Sequence, residues 1–119
     1  MLGLPLVSTK DAPELPPEGV ALTLKNIALC FAGCLVGTDR LGVFTHGTKL
    51  LAGYLRKLQG GGYRAAAIPR IEREGAAWAV LDGDAGLGQT GCSAAMQTAI
   101  SKAHACGVAF VSIRNTGHI

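Results

Sequence analysis

Val108-Ala109-Phe110-Val111-Ser112-Ile113-Arg114-Asn115-Thr116-Gly117-His118-Ile119 is the stretch that decides the fold. Its first half is apolar and rich in β-branched residues, which is how a buried strand reads. Its second half carries an arginine, an asparagine and a histidine to the strand's carboxyl end, where open α/β sheets bind ligands. A strand that delivers a site is normally followed by more chain to cover it. The 119 residues therefore read as an N-terminal piece of a larger protein, or as a shortened variant of one.

Working outward from that strand, Gly88 to Ala105 reads as a helix, apolar at Ala95, Met96, Ala99, Ile100 and Ala103 and ended by Gly107. Ile68 to Glu74 alternates apolar and charged residues, as a half-exposed strand does. Ala76 to Leu81 is a second strand, and Gly75 between them suggests a hairpin. Thr48 to Leu58 predicts a helix with Leu51, Tyr54, Leu55 and Leu58 on its apolar stripe, stopped by Gly60-Gly61-Gly62. From Glu18 to about Gly37, Val20, Leu24, Ile27, Phe31 and Leu35 recur at helical spacing. Residues 1–17 hold four of the five prolines and read as an irregular leader, with Pro17 suited to the first turn of the next helix. The expected fold class is α+β: N-terminal helices over 18–62, then from 63 to 119 the start of an α/β domain, a small mixed sheet with a packed helix.

Composition narrows the function. Apolar residues make up 49% and charged residues 16%, enough to build a core and too few charges for a disordered chain. The net charge of +3 is spread along the sequence with six aromatics and no basic tract, so no nucleic-acid partner is expected. The apolar run Ile27 to Val36 is about half the ~20 residues a membrane span needs. No secretory leader is read at Met1–Val7. Cys30, Cys34, Cys92 and Cys106 form no metal-binding spacing. The expectation is a cytoplasmic protein with no metal and no membrane contact.

Three segments could carry chemistry. In Thr45-His46-Gly47, a histidine in a glycine-flanked turn can present its imidazole to a cleft as proton donor or acceptor; it can equally be a surface turn or a capping cluster. Leu81-Asp82-Gly83-Asp84-Ala85-Gly86-Leu87-Gly88-Gln89 joins a strand to a helix, a context that suits phosphate binding. Its glycine spacing is not that of a dinucleotide fingerprint and its two aspartates would repel phosphate, so a structural strand-to-helix turn with positive φ is expected. In Arg114-Asn115-Thr116-Gly117-His118, arginine can fork onto a carboxylate, asparagine can hydrogen-bond a hydroxyl or carbonyl, and histidine can move a proton. His104, late in its helix, complements the helix dipole.

Together these segments resemble one family. Asp39-Arg40-Leu41-Gly42-Val43-Phe44-Thr45-His46-Gly47 is similar to the A-D-L-R-G-V-D-S-H-G segment of the malate/L-lactate dehydrogenases of the second type. This is the non-Rossmann group that includes ureidoglycolate dehydrogenase, sulfolactate dehydrogenase and diketogulonate reductase. Leu81 to Gln89 resembles its L-D-G-D-N-G-L-G-Q, and Val111 to His118 its V-A-V-R-N-S-N-H, in the same order and spacing. The resemblance implies part of a larger two-domain oxidoreductase fold. It implies an enzyme moving a hydride between NAD or NADP and a small 2-hydroxy or 2-oxo acid. His46 and His118 would be catalytic, with Thr45, Arg114 and Asn115 binding substrate. No cofactor-binding residue is assigned. The parent would be a homo-oligomer, in keeping with a dimer, and the 119 residues alone would be inactive. Phe44, Leu50 and Gly117 stand where the family has Asp, Arg and Asn. Two other readings are an inactive fragment serving as an interaction module, and a small-ligand-binding α/β domain.

Overall fold

The computed structural model describes residues 17–119, apart from the side chains at 17 and 20–22. The expected leader thus falls outside the described residues except for Pro17, which opens the first helix, α1 (Pro17–Arg40). Two short 3-10 turns, Phe44–His46 and Thr48–Leu50, lead into α2 (Leu51–Gln59). Strands β1 (Arg70–Glu74) and β2 (Trp78–Gly86) follow, then α3 (Gly88–Cys106) and β3 (Phe110–Thr116). β2 is the central strand, antiparallel to β1 and parallel to β3, so the sheet is mixed as the sequence predicts.

α1 has Glu18 in its first turn and Arg40 in its last, charges that complement the helix dipole. Ile27, Phe31 and Leu35 are buried at helical spacing. They join Tyr54 and Leu87 in one apolar cluster, in which Phe31 and Tyr54 meet edge to face at 5.0 Å. Leu24 of the same ladder is half-exposed, and Val20 lies outside the described side chains. A second cluster packs α3 on the sheet through Ala79, Leu81, Ala94 and Ala95, with Ile71, Val111 and Ile113 at its margin. Small residues allow that approach: a Cβ on Gly91 would lie 2.7 Å from Ile113 Cδ1.

Three expectations need correction. The apolar face of α2 is narrower than its pattern suggests: Tyr54 is buried and Leu58 partly buried, whereas Leu51 and Leu55 face solvent. α3 buries Ala94, Ala95 and Thr98, while Met96 and Ile100 are exposed. The helix sits too close to the sheet for large side chains, so its bulkiest apolar residues point elsewhere. Finally, Asp82–Gly86 is not a loop but the end of β2. The register with β3 runs from Asp82↔Arg114 directly to Gly86↔Thr116, so β2 bulges there. The positive φ angles fall on Asp84 (56°) and Ala85 (55°), not on the glycines of that segment.

Side-chain oxygens hold the bulge. Asp82 Oδ1 accepts from the Asp84 amide at 2.7 Å, and Asp84 Oδ2 accepts from the Ile68 amide at 3.0 Å. Arg64 pairs with Asp84 Oδ1 at 2.6 Å. Both carboxylates are therefore engaged in fixing backbone.

Candidate functional site

His46 is placed by the end of α1. The helix closes in a turn at Leu41-Gly42, with Gly42 at φ 79°, and His46 ends the first 3-10 turn. Asp39 reaches across this turn: its Oδ2 accepts from the Thr48 amide at 3.1 Å and from the Thr48 hydroxyl. The carboxylate lies where a Cβ on Gly47 would be, so only glycine fits beside it. Asp39 thus clasps the segment carrying His46 by accepting from the first residue of the second 3-10 turn, which leads into α2. Thr45 Oγ1 lies 2.9 Å from His46 Nδ1, so Nε2 is the ring edge left to meet a ligand. Asp39→Ala is expected to cost about 0.5–2 kcal/mol of stability, read from denaturant midpoints, and to loosen the His46 turn in amide exchange.

His118 is placed by backbone packing after β3. Asn115 adopts φ 52°, and the Gly117 amide donates to Gly86 O at 2.9 Å. The Tyr54 hydroxyl donates to His118 O at 3.4 Å and accepts from Gln89 Nε2 at 3.0 Å. The segment also lies against the first residue of α3: a Cβ on Gly88 would meet Gly117 O and, at 2.6 Å, His118 O. Gly88→Ala should therefore push the His118 backbone away and cost about 1–3 kcal/mol, the usual range for overpacking. Denaturation and the His118 amide resonance report the two effects.

His46 lines a cleft of about 1340 Å³ together with Leu41, Cys30, Cys34, Gln89 and Ile119. Ile119 is the residue after His118, so the segment following β3 reaches the cleft that His46 faces. Both histidines are exposed. The other candidates are engaged elsewhere. Arg114 forks onto Glu72, with Nε to Oε2 at 2.6 Å and a second contact from its terminal nitrogen to Oε1. Those hydrogen bonds, and then the charge of Glu72, push the Arg114 pKa up. The Asn115 amide donates to Asp82 Oδ1 at 2.9 Å. Asp39, Tyr54 and Gln89 are positioning residues that the sequence reading assigned no such role. Among the described residues no group of three or more His, Cys, Asp or Glu is arranged to hold a metal ion. Nor is any helix among them long and apolar enough to cross a membrane.

The malate/L-lactate dehydrogenase family model matches residues 23–119. A malate dehydrogenase of Pyrococcus abyssi is 38% identical over 96 residues, covering 81% of this chain and 26% of the relative. The L-sulfolactate dehydrogenase of Methanocaldococcus jannaschii is 38% identical over 87 residues, covering 73% of this chain and 25% of the relative. The solved malate dehydrogenase of Pyrococcus horikoshii superposes with a TM-score of 0.77 at 31% identity, over 94% of this chain and 35% of that one. The chain spans about a quarter of the length of the curated relatives it matches.

Proposed function

The chain belongs to the malate/L-lactate dehydrogenase family, and from that premise we propose that it supplies the proton-transfer side of a nicotinamide-dependent 2-hydroxy-acid dehydrogenase site. The observation that carries this reading is the cleft that His46 lines beside Ile119, the neighbour of His118. Ile119 reaching the cleft that His46 lines supports one site shared by the two histidine segments.

The reaction class follows from what imidazole can do. In reduction, hydride adds to the carbonyl carbon of a 2-oxo acid, and a protonated histidine gives its proton to the oxygen. In oxidation the same group, now neutral, takes the hydroxyl proton. Imidazole is suited to both directions because its ordinary pKa lies near neutrality. His46 and His118 are the two candidates, with the Thr45 hydroxyl on Nδ1 orienting the His46 ring. Arg114 and Asn115 could meet a substrate carboxylate or hydroxyl only by giving up Glu72 and Asp82, so we assign them first to holding β3.

NADH or NADPH would supply the hydride in reduction, and NAD or NADP would accept it in oxidation. The apolar cleft wall at Leu41, Cys30 and Ile119 would suit the flat, uncharged dihydronicotinamide ring of the reduced cofactor. The Asp82–Gly88 segment does not fit the pyrophosphate, because its two aspartates put negative charge there and already accept from the Asp84 and Ile68 amides. The site is therefore one wall of a larger one. We accordingly propose negligible turnover for the 119 residues alone, a homo-oligomeric parent in the cytoplasm, and malate- or lactate-sized substrates. The test is oxidation of NADH or NADPH by oxaloacetate, pyruvate and sulfopyruvate in a protein containing this segment. Activity with one of these acids supports the reading, and indifference to all of them with both cofactors overturns it.

A further inference from the structure

Two thiols of α1, Cys30 and Cys34, line the same cleft as His46. Both are free, and the proton chemistry proposed above uses neither. They stand four residues apart inside one unbroken helix, so they share a face and lie one turn apart. Helical Cα–Cβ bonds tilt toward the N-terminus, which leans the Cys34 side chain back over Cys30. A hydrogen bond joins the two thiols. Cys30 is half-buried and Cys34 is exposed, so the pair is open to solvent at one end.

This spacing selects what the pair can hold. Helix neighbours four apart keep their Cβ atoms about 5–6 Å apart, whereas a disulfide holds them at about 3.5–4.5 Å. A direct S–S bond would therefore distort α1, while a single atom between the sulfurs relaxes the constraint. Among the described residues no group of three or more His, Cys, Asp or Glu is arranged around a metal, so zinc, which takes four ligands, would be left unsatisfied. The bridging atom must be soft, to suit sulfur, and must need only two protein ligands. A linear two-coordinate ion would have to spread the touching sulfurs apart. Pyramidal arsenic(III) that already carries one carbon substituent takes two sulfurs side by side.

We propose that Cys30 and Cys34 form a dithiol clamp for a monosubstituted trivalent arsenical, on the cleft wall that His46 shares. With an organoarsenic(III) oxide, each sulfur forms a bond to arsenic, and the arsenic gives up its oxygen. That oxygen leaves as water with the two thiol protons. Arsenic stays trivalent, so nothing is oxidised or reduced. The second bond is made within the molecule once the first has formed, which is where the clamp gains over a lone thiol. The organic substituent is left in the cleft, whose apolar lining includes Leu29, Leu41 and Ile119. The clamp does not rest on the dehydrogenase reading and stands or falls separately from it.

The test titrates the reduced 119-residue chain with phenylarsine oxide and reads intact mass and the histidine imidazole resonances. The expected product is a one-to-one adduct, heavier by one phenylarsenic unit less two hydrogens. Excess 2-mercaptoethanol should leave it in place, and 2,3-dimercaptopropanol should remove it. Cys92→Ser and Cys106→Ser should keep the adduct. Cys34→Ser, at an exposed position, should weaken it by roughly 10²–10⁴-fold, the advantage of a second linked contact. The His46 ring should shift with adduct formation while His104 stays put. No adduct, an adduct indifferent to Cys34→Ser, one that requires Cys92 or Cys106, or an unmoved His46 ring would each overturn the proposal. The wild-type mass and spectra need no variant, so a misfolded substitution cannot hide the answer.

Discussion

Replacing His118 with alanine in a protein carrying this segment is expected to lower turnover of a 2-oxo acid by roughly 10²–10⁴-fold, the usual contribution of a positioned acid or base. His46→Ala should match that loss if His46 is the residue that transfers the proton, and should mainly raise KM if it only orients substrate. The two outcomes separate in the pH profile of kcat. The true proton donor takes one limb of the profile with it, whereas a binding residue leaves the limb in place. Both ring systems sit on backbone that is fixed by other groups: Asp39 and Gly47 for His46, Tyr54 and Gly88 for His118. Alanine at either position removes a ring from an exposed site and should leave the melting transition in place. An enzyme indifferent to both substitutions would remove the site assignment.

Leu81→Ala should produce the largest loss of stability among single core substitutions. Leu81 is fully buried at the centre of β2, between Ile71 on β1 and Ile113 on β3, and belongs to the cluster under α3. Truncation removes buried apolar surface and leaves a cavity that the neighbouring small residues, Ala79, Ala94 and Ala95, cannot fill. A cost of about 2–5 kcal/mol is expected. Against a total of about 5–15 kcal/mol for a typical domain, that is enough to unfold much of the population on mild warming. A fall in denaturant midpoint at unchanged slope would report it. A loss below that range would show that the sheet closes around the gap.

The order of elements was legible because periodicity and punctuation agree: β-branched runs at 108–113, a helical ladder at Ile27, Phe31 and Leu35, and Gly107 at φ 84° closing α3. The faces of α2 and α3 were not, because hydrophobicity says which residues can be buried and not how closely a helix approaches its sheet. Ala94 and Thr98 are buried and Met96 is exposed because of that separation, which the glycines at 88 and 91 permit. The bulge at Asp82–Gly86 was read as a loop because its turn residues are local, while the pairing with β3 that makes it a strand is long-range. At the site, both histidine segments could be found from motif and position. The clasp by Asp39 and the Gln89–Tyr54–His118 chain could not, since each joins residues that no local spacing connects.

The central claim is that His46 and His118 face one small acid. It is tested most directly by titrating a cofactor-loaded protein that carries this segment with oxamate, a non-reacting mimic of a 2-oxo acid, while following the imidazole resonances of His46, His104 and His118 by NMR. His104, exposed in the last turn of α3, is the internal control. The account predicts that the His46 and His118 rings shift along a single saturation curve while His104 stays put. Shifts confined to one of the two, or two curves with different midpoints, would contradict it.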